Sequence, residues 1–432
     1  MRILHMADPS NTTLQISTDP AFGTLALNEE TEYKTSRAFT AQELPYGVNL
    51  YARVKHTHPE TGASNWSSAV QFKLTIPNTV IGICLDLSNK SWNWIDEIGN
   101  KLTSFDWQSH EIFTRITMVT EDSARSPVTM TRFPLFYIKT ATNGPVGTFA
   151  NGKKCWWISA QDRPGFRPHP AFKRSTQQVN GKYKISPHID IMTFCGFAES
   201  VGGRDTIGSK RGATVRNSIS HDDMLTYANN RNDVSAGQTG WHVMDIWELG
   251  MLRILALIMT ANGDTQAAFG DNASGTSYPK AGSTNARMIF KGTHSNPQVS
   301  IEDLWRCWWH HVFLVDAQKG TIMSPMNGAS LTTVSSSQWP TGWIGDILTK
   351  SVTIGDHTHD LMELFFNSKN ADSESAAIIK DSNSGRSGVG SSYPALLFGG
   401  YWGYGSNAGL FYFSDYTLDY RGSYFAGRLA KY

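Results

Sequence analysis

The chain has 432 residues, enough for more than one domain, and its charges nearly balance at a formal net +1. Only 17% of the residues are charged and 12% are aromatic, with 14 Trp, a composition that excludes a disordered chain and suits a β-rich protein with a broad contact surface. No basic run supplies the electrostatic footprint of nucleic-acid binding, and no apolar run approaches the roughly 18 residues of a membrane-spanning helix, so neither nucleic acid nor membrane insertion is expected.

Met1-Arg2-Ile3-Leu4-His5 runs into Asp8-Pro9 where a signal peptide would carry its apolar core, so no export signal is expected. Leu14, Ile16, Phe22, Leu25 and Leu27 then surround a Thr18-Asp19-Pro20 turn, and Leu50, Arg53 and Val54 precede a turn over 59–62 and Trp66-Ser67. Short alternating strands between turn clusters predict a β-sandwich. Pro77 marks the first expected boundary, giving a module over residues 1–76. Across 77–160, Trp92, Trp94 and Trp107 stand among short apolar runs, and the stretch from Ser126 to Ile138 reads as β; a β-rich connection or insertion is expected, with its Trp residues in the core. Further on, Asp245 can cap a helix whose apolar residues recur at Ile246, Leu249, Leu252 and Leu255, and Asn262-Gly263 can end it. In the closing segment Phe411 and Phe413 point to one face of a strand while Tyr412 and Ser414 point to the other. Gly399, Gly400, Gly403, Gly405 and Gly409 allow tight turns around them.

Catalytic motifs fail on spacing. Gly203-x-x-x-x-Gly208-Ser209-Lys210 reverses the Lys-Ser order that brings an ammonium to bound phosphates. Gly403-x-Gly405-x-x-x-Gly409 lacks the spacing of a dinucleotide fingerprint. Asp356-His357-x-His359-Asp360 offers two imidazoles on one face of an extended segment, which suits either a metal or a polar loop, and the loop is the expectation. Cys84, Cys155, Cys195 and Cys307 form no Cys-x-x-Cys pair and read as buried thiols. No metal, no cofactor and no enzymatic activity are therefore expected.

From Tyr393 to Gly405, then through Ala408-Gly409-Leu410-Phe411 to Gly427-Arg428-Leu429-Ala430, the chain resembles the closing part of the C-type-lectin-like fold shared by formylglycine-generating enzymes and phage tropism-determining receptor-binding proteins. Arg428 follows Gly427 directly, where that family spaces the two by one residue. Pro170-Ala171-Phe172 before Tyr183-x-Ile185 resembles the strand that opens such a domain. The stretch from His221 to Asn230, followed by Gly240-Trp241-His242-Val243-Met244-Asp245-Ile246-Trp247-Glu248, resembles its helix pair. Leu44-x-x-Gly47, Tyr51-x-Arg53-Val54, Gly62, Trp66-Ser67 and Phe72 resemble a fibronectin type III module of the sort strung along phage tails.

These resemblances imply an α+β, β-rich chain: a fibronectin type III-like spacer over 1–76, a connection over 77–160, and a C-type-lectin-like domain over 161–432. They imply a phage tail fibre or tail-tip protein, made in the host cytoplasm and carried on the virion, whose partners are a protein or glycan receptor on the host surface and other tail proteins. A homotrimer is the expected assembly. Tyr and Trp beside Ser, Asn and Asp make a binding-loop mixture, and Tyr401, Tyr404, Asn407, Tyr412, Asp415, Tyr416, Tyr420 and Tyr424 are the candidate receptor-binding residues, while Trp402 is expected in the core. A structural virion subunit and a surface-glycan-degrading enzyme remain as alternatives; the missing Cys after Cys307 argues against formylglycine-generating chemistry.

Overall fold

The computed structural model describes residues 11–32, 49–58, 62–73, 79–122, 124–179 and 182–269, and beyond these 288–289, 301–302, 304–305, 309–312, 315–316, 321–323, 330–335, 342–349, 351–354, 357–365, 367–383, 394–417 and 419–432. The chain is β-rich and divides into two compact units, Met1–Val80 with Asp96–Ile98, and Ile81–Ile95 with Gly99–Tyr432.

In the first unit, Leu25–Glu32, Asn11–Ser17, Asn49–His58 and Gly62–Ala63 lie side by side in one antiparallel sheet, and Val70–Lys73 also pairs with Asn49–His58. Ile16, Leu50 and Ala52 are its buried apolar residues, with Leu14 and Leu27 packed against them. The expected Asp19 turn is present: its two carboxylate oxygens accept from Ala21 N and Gly23 N. Arg53 lies between two rings, 4.1 Å from the centre of Phe22 and 4.5 Å from that of Trp66, which explains both aromatics beside a polar strand. The described strands of this unit make one sheet, whereas a sandwich has two. Leu44 and Gly47, and the side chain of Phe72, lie outside the described residues.

No boundary separates 160 from 161 in the second unit. Val128–Pro134 pairs with His188–Met192 along five residues, and the same sheet runs Trp241–Val243, Leu429–Lys431, His188–Met192, Val128–Pro134, Thr117–Glu121. Residues 81–160 therefore supply strands to the body that the chain's last strand completes. A second sheet runs Arg167–Pro168, Tyr137–Ala141, Lys154–Ser159, Val80–Asp86, Ser91–Ile95. As expected, Trp92 is buried and Trp94 packs against the core; their indole N–H groups donate to the carbonyls of Ile378 and Ile258.

The helix Ile246–Thr260 lies at the centre of the main core, buried from Ile246 to Met259 on every face. An apolar side chain buried in this way contributes about 1.5–3 kcal/mol over an exposed one, so Glu248 and Arg253, inside the same helix, need specific partners. Asp245 caps the helix as expected, accepting from Trp247 N and Glu248 N. The end differs from expectation: Ala261, at φ 47°, is the left-handed C-cap. Gly263 is required for another reason, since a side chain there would overlap the Ile378 carbonyl.

The stretch resembling a helix start at 221 is one, His221–Arg231, with Ser220 and Asp223 forming a reciprocal capping box. Pro170–Phe172 is a single tight turn, and Lys182–Ile185 pairs with Lys173–Val179. Gly202-Gly203, at φ 59° and 77°, turns the hairpin of Phe197–Val201 and Arg204–Gly208, so the near-phosphate-loop sequence starts in that turn and continues as a strand. Cys84, Cys155 and Cys195 are buried free thiols, while Cys307 lies outside the described residues. Among the described residues no helix is long and apolar enough to cross a membrane.

Candidate functional site

The closing hairpin is built as its sequence alternates. Pro394–Gly399 pairs antiparallel with Gly409–Thr417 and on its other side with Trp309–Val312, which Phe425–Ala426 joins in parallel. Phe398, Phe411 and Phe413 face the main core, whereas Leu397, Tyr412 and Phe425 form a second apolar cluster. Gly399 and Gly400 take φ values of 91° and 71°, so the strand can turn sharply into the short helical turn Trp402–Asn407. At Gly409 a side chain would overlap the buried Asp381 carboxylate, whose oxygen accepts from Phe411 N and Thr265 Oγ1.

On the second cluster sits a group of half-buried tyrosines. The Tyr401 ring stacks on Tyr424 with centroids 4.6 Å apart and planes 16° from parallel, and it meets Tyr404 edge-on at 4.9 Å. Tyr404 in turn contacts Tyr412 at 5.2 Å, and Tyr420 and Tyr424 each meet Phe425 edge-on. Tyr420 is 42% exposed. The loop carrying Tyr420 and Tyr424 is tied down on either side of Gly422: Arg421 makes a two-pronged ion pair with Asp223 at 2.8 and 2.9 Å, and Asn217 donates to the Ser423 carbonyl. The Arg421 fork holds the Asp223 carboxyl well below the ordinary carboxylate range, so the pair stays charged at neutral pH.

The structure thus brings Tyr401, Tyr404, Tyr420 and Tyr424 together, with Asn407 half-buried at the end of the helical turn. Tyr412 is a correction: it is 1% exposed, because strand alternation turns it into the second cluster, so it offers no free surface. The side chains of Trp402, Asp415 and Tyr416 lie outside the described residues, although all three belong to hairpin elements. This surface offers ring faces, ring edges and hydroxyls; it is equipped to bind by burial and stacking.

Polar groups gather elsewhere. In the hairpin of Ser351–Ile354 and His357–Asp360, the His357 and His359 side chains lie outside the described residues, and Asp360 is occupied in capping Met362 N and accepting from Thr140 Oγ1. At the start of the central helix, His242, Asp245 and Glu248 each place one potential metal-binding atom within 4.8 Å of the others. His242 Nε2 is 2.7 Å from Glu248 Oε1. Burial opposes charge on His242, but the facing Glu248 carboxylate outweighs it and raises the imidazole to about 9. Burial and the Glu248 charge push Asp245 up to about 8. The spacing His-x-x-Asp-x-x-Glu was visible in the sequence, where Asp245 registered only as a cap. No protein-family model matches the chain, and no curated protein matches it by sequence.

Proposed function

We propose that this chain is a phage tail fibre or tail-tip protein that attaches the virion to a receptor on the host bacterial surface, through the tyrosine patch of its closing hairpin. The carrying observation is the set of touching rings Tyr401, Tyr404 and Tyr424, with the exposed Tyr420 joined to them through Phe425, braced by the Arg421–Asp223 pair. Tyrosines held by one another lose little conformational freedom on binding and bring large contact area, as binding loops require. Asn407 supplies orienting polarity at the patch edge. The mechanism is binding without chemistry, and it calls for no cofactor.

The order of elements supports a C-type-lectin-like reading of the second unit: an early strand at His188–Met192, two helices, an aromatic hairpin, and a last strand, Leu429–Lys431, that returns to the first. Arg428 fixes that return, donating from its buried guanidinium to the carbonyls of Met192 and Glu302. The antiparallel sheet of the first unit supplies one of the two layers of a fibronectin type III-like spacer. On this reading the partners are a receptor of protein or glycan nature and other tail proteins, and the chain works as a homotrimer.

The test is saturable binding of the labelled chain to candidate host bacteria, untreated and after protease or periodate, beside a Tyr404→Ala/Tyr420→Ala variant that melts normally. Binding lost in the variant places the receptor on the patch, and the treatment that abolishes it names the receptor class. A trimeric, folded sample that binds no host favours a structural tail subunit, and release of reducing sugar from host polysaccharide would revive the glycan-degrading alternative.

A further inference from the structure

We propose that His242, Asp245 and Glu248 form a binding site for one divalent transition-metal ion of the zinc class at the amino end of the central helix. This inference is independent of the receptor-binding reading.

The geometry turns one potential ligand atom of each residue toward the other two. His242 Nδ1 is 2.8 Å from the Gly240 carbonyl, a distance and partner that make Nδ1 the donor and leave Nε2 pointing at Glu248. Asp245 Oδ1 is occupied by Trp247 N and Glu248 N, while Oδ2 is buried with no hydrogen-bond partner, on a residue 2% exposed. Glu248 Oε2 accepts from Asp245 N, which leaves Oε1 facing the imidazole. A carbonyl that fixes the second ring nitrogen, and backbone N–H groups that fix the second carboxylate oxygens, are the supports that orient metal ligands.

An orphaned carboxylate oxygen in a buried site costs free energy unless something neutralises it. The 2.7 Å pairing of His242 Nε2 with Glu248 Oε1 leaves Asp245 Oδ2 without a partner, whereas a cation that displaces the shared proton would be held by Oδ2, Oε1 and Nε2 together. One imidazole with two carboxylates suits zinc, cobalt or manganese, and three protein ligands leave further positions for water. The positive end of the helix dipole opposes a cation here, but two carboxylates outweigh its roughly half charge. Entry is open at His242, whose side chain is 22% exposed and stacks on Tyr432 with ring centroids 4.3 Å apart.

The experiment uses the whole chain, stripped with a chelator and dialysed, then titrated with cobalt(II) and zinc(II) under calorimetry and visible absorption. The expected result is one equivalent of cobalt with d–d bands of a nitrogen–oxygen site, displaced by zinc. Asp245→Asn keeps the Oδ1 cap but removes the second carboxylate oxygen, and His242→Gln removes the imidazole; each should weaken binding by roughly 10- to 100-fold, with circular dichroism showing the fold intact. Wild-type chain that takes up no cobalt overturns the proposal outright, as does uptake unchanged in both variants, which would place the ion elsewhere. If a variant does not fold, the cobalt spectrum of the wild type still decides, because a site without imidazole nitrogen gives an all-oxygen spectrum and refutes the assignment.

Discussion

The guanidinium of Arg253 lies 3.9 Å from the centre of the Phe413 ring, so a buried cation on the central helix holds the closing hairpin from beneath. Arg253 also donates to the carbonyls of Leu410 and Leu364, joining the helix to two segments distant in sequence. Burial pulls its pKa well below the ordinary value, and the Asp381 carboxylate offsets only part of that pull. Replacement by Ala removes both donors and leaves a void against Phe411 and Phe413, so Arg253→Ala should cost about 3 kcal/mol or more in a denaturant melt. Arg253→Lys should also destabilise, because one ammonium cannot reproduce a planar fork shared by two carbonyls.

Asp381 gives a pH signature. Burial pushes its carboxyl up to about 7, offset in part by the bonds from Phe411 N and Thr265 Oγ1. Its folded pKa exceeds the unfolded value near 4, so the folded state holds the proton more tightly and the associated stability is lost as pH rises from about 4 to about 7. Asp381→Asn keeps an acceptor without the charge. The stability of the wild type relative to this variant should fall across that window, by at most about 4 kcal/mol; parallel stability–pH curves for the two proteins would refute the assignment.

The Arg421–Asp223 pair is solvent-exposed on the Arg side, so its loss should leave the melting temperature nearly unchanged. Arg421→Ala should nonetheless weaken host-cell binding, because the loop that presents Tyr420 and Tyr424 loses its two-pronged brace. Equal binding by the folded variant would show that the brace is dispensable.

Tyr412 and Tyr420 should separate cleanly. Tyr412→Ala opens the cluster of Leu397 and Phe425 and should cost about 3 kcal/mol or more. Tyr420→Ala should change stability by less than about 1 kcal/mol and still reduce cell binding. Paired melts and binding isotherms read both effects.

Cys84, Cys155 and Cys195 should resist an alkylating reagent in the native protein and react on unfolding, as buried thiols do. Peptide mass spectrometry would show any native labelling at these three positions.

Features that depend on near neighbours along the chain are legible in the residues. The Asp245 cap, the apolar recurrence from Ile246 to Leu255, the Asp19 turn and the alternation of Phe411, Tyr412 and Phe413 are all set within a few residues by helical or strand period and by side-chain-to-backbone hydrogen bonds. Alternation placed Tyr412 opposite the phenylalanines but left open whether that face was wet. Long-range pairing settles it: Leu397 and Phe425 arrive on strands distant in sequence and cover Tyr412, while Tyr401, Tyr404 and Tyr424 stay half-buried and Tyr420 exposed. The same holds for residues 81–160, of which Thr117–Glu121 and Val128–Pro134 join the sheet that Leu429–Lys431 completes. It holds too for the His242 cluster: its spacing is written in the sequence, but Asp245 Oδ2 is without a partner because burial removes water while the backbone N–H groups of the helix start bond to Asp245 Oδ1 and Glu248 Oε2.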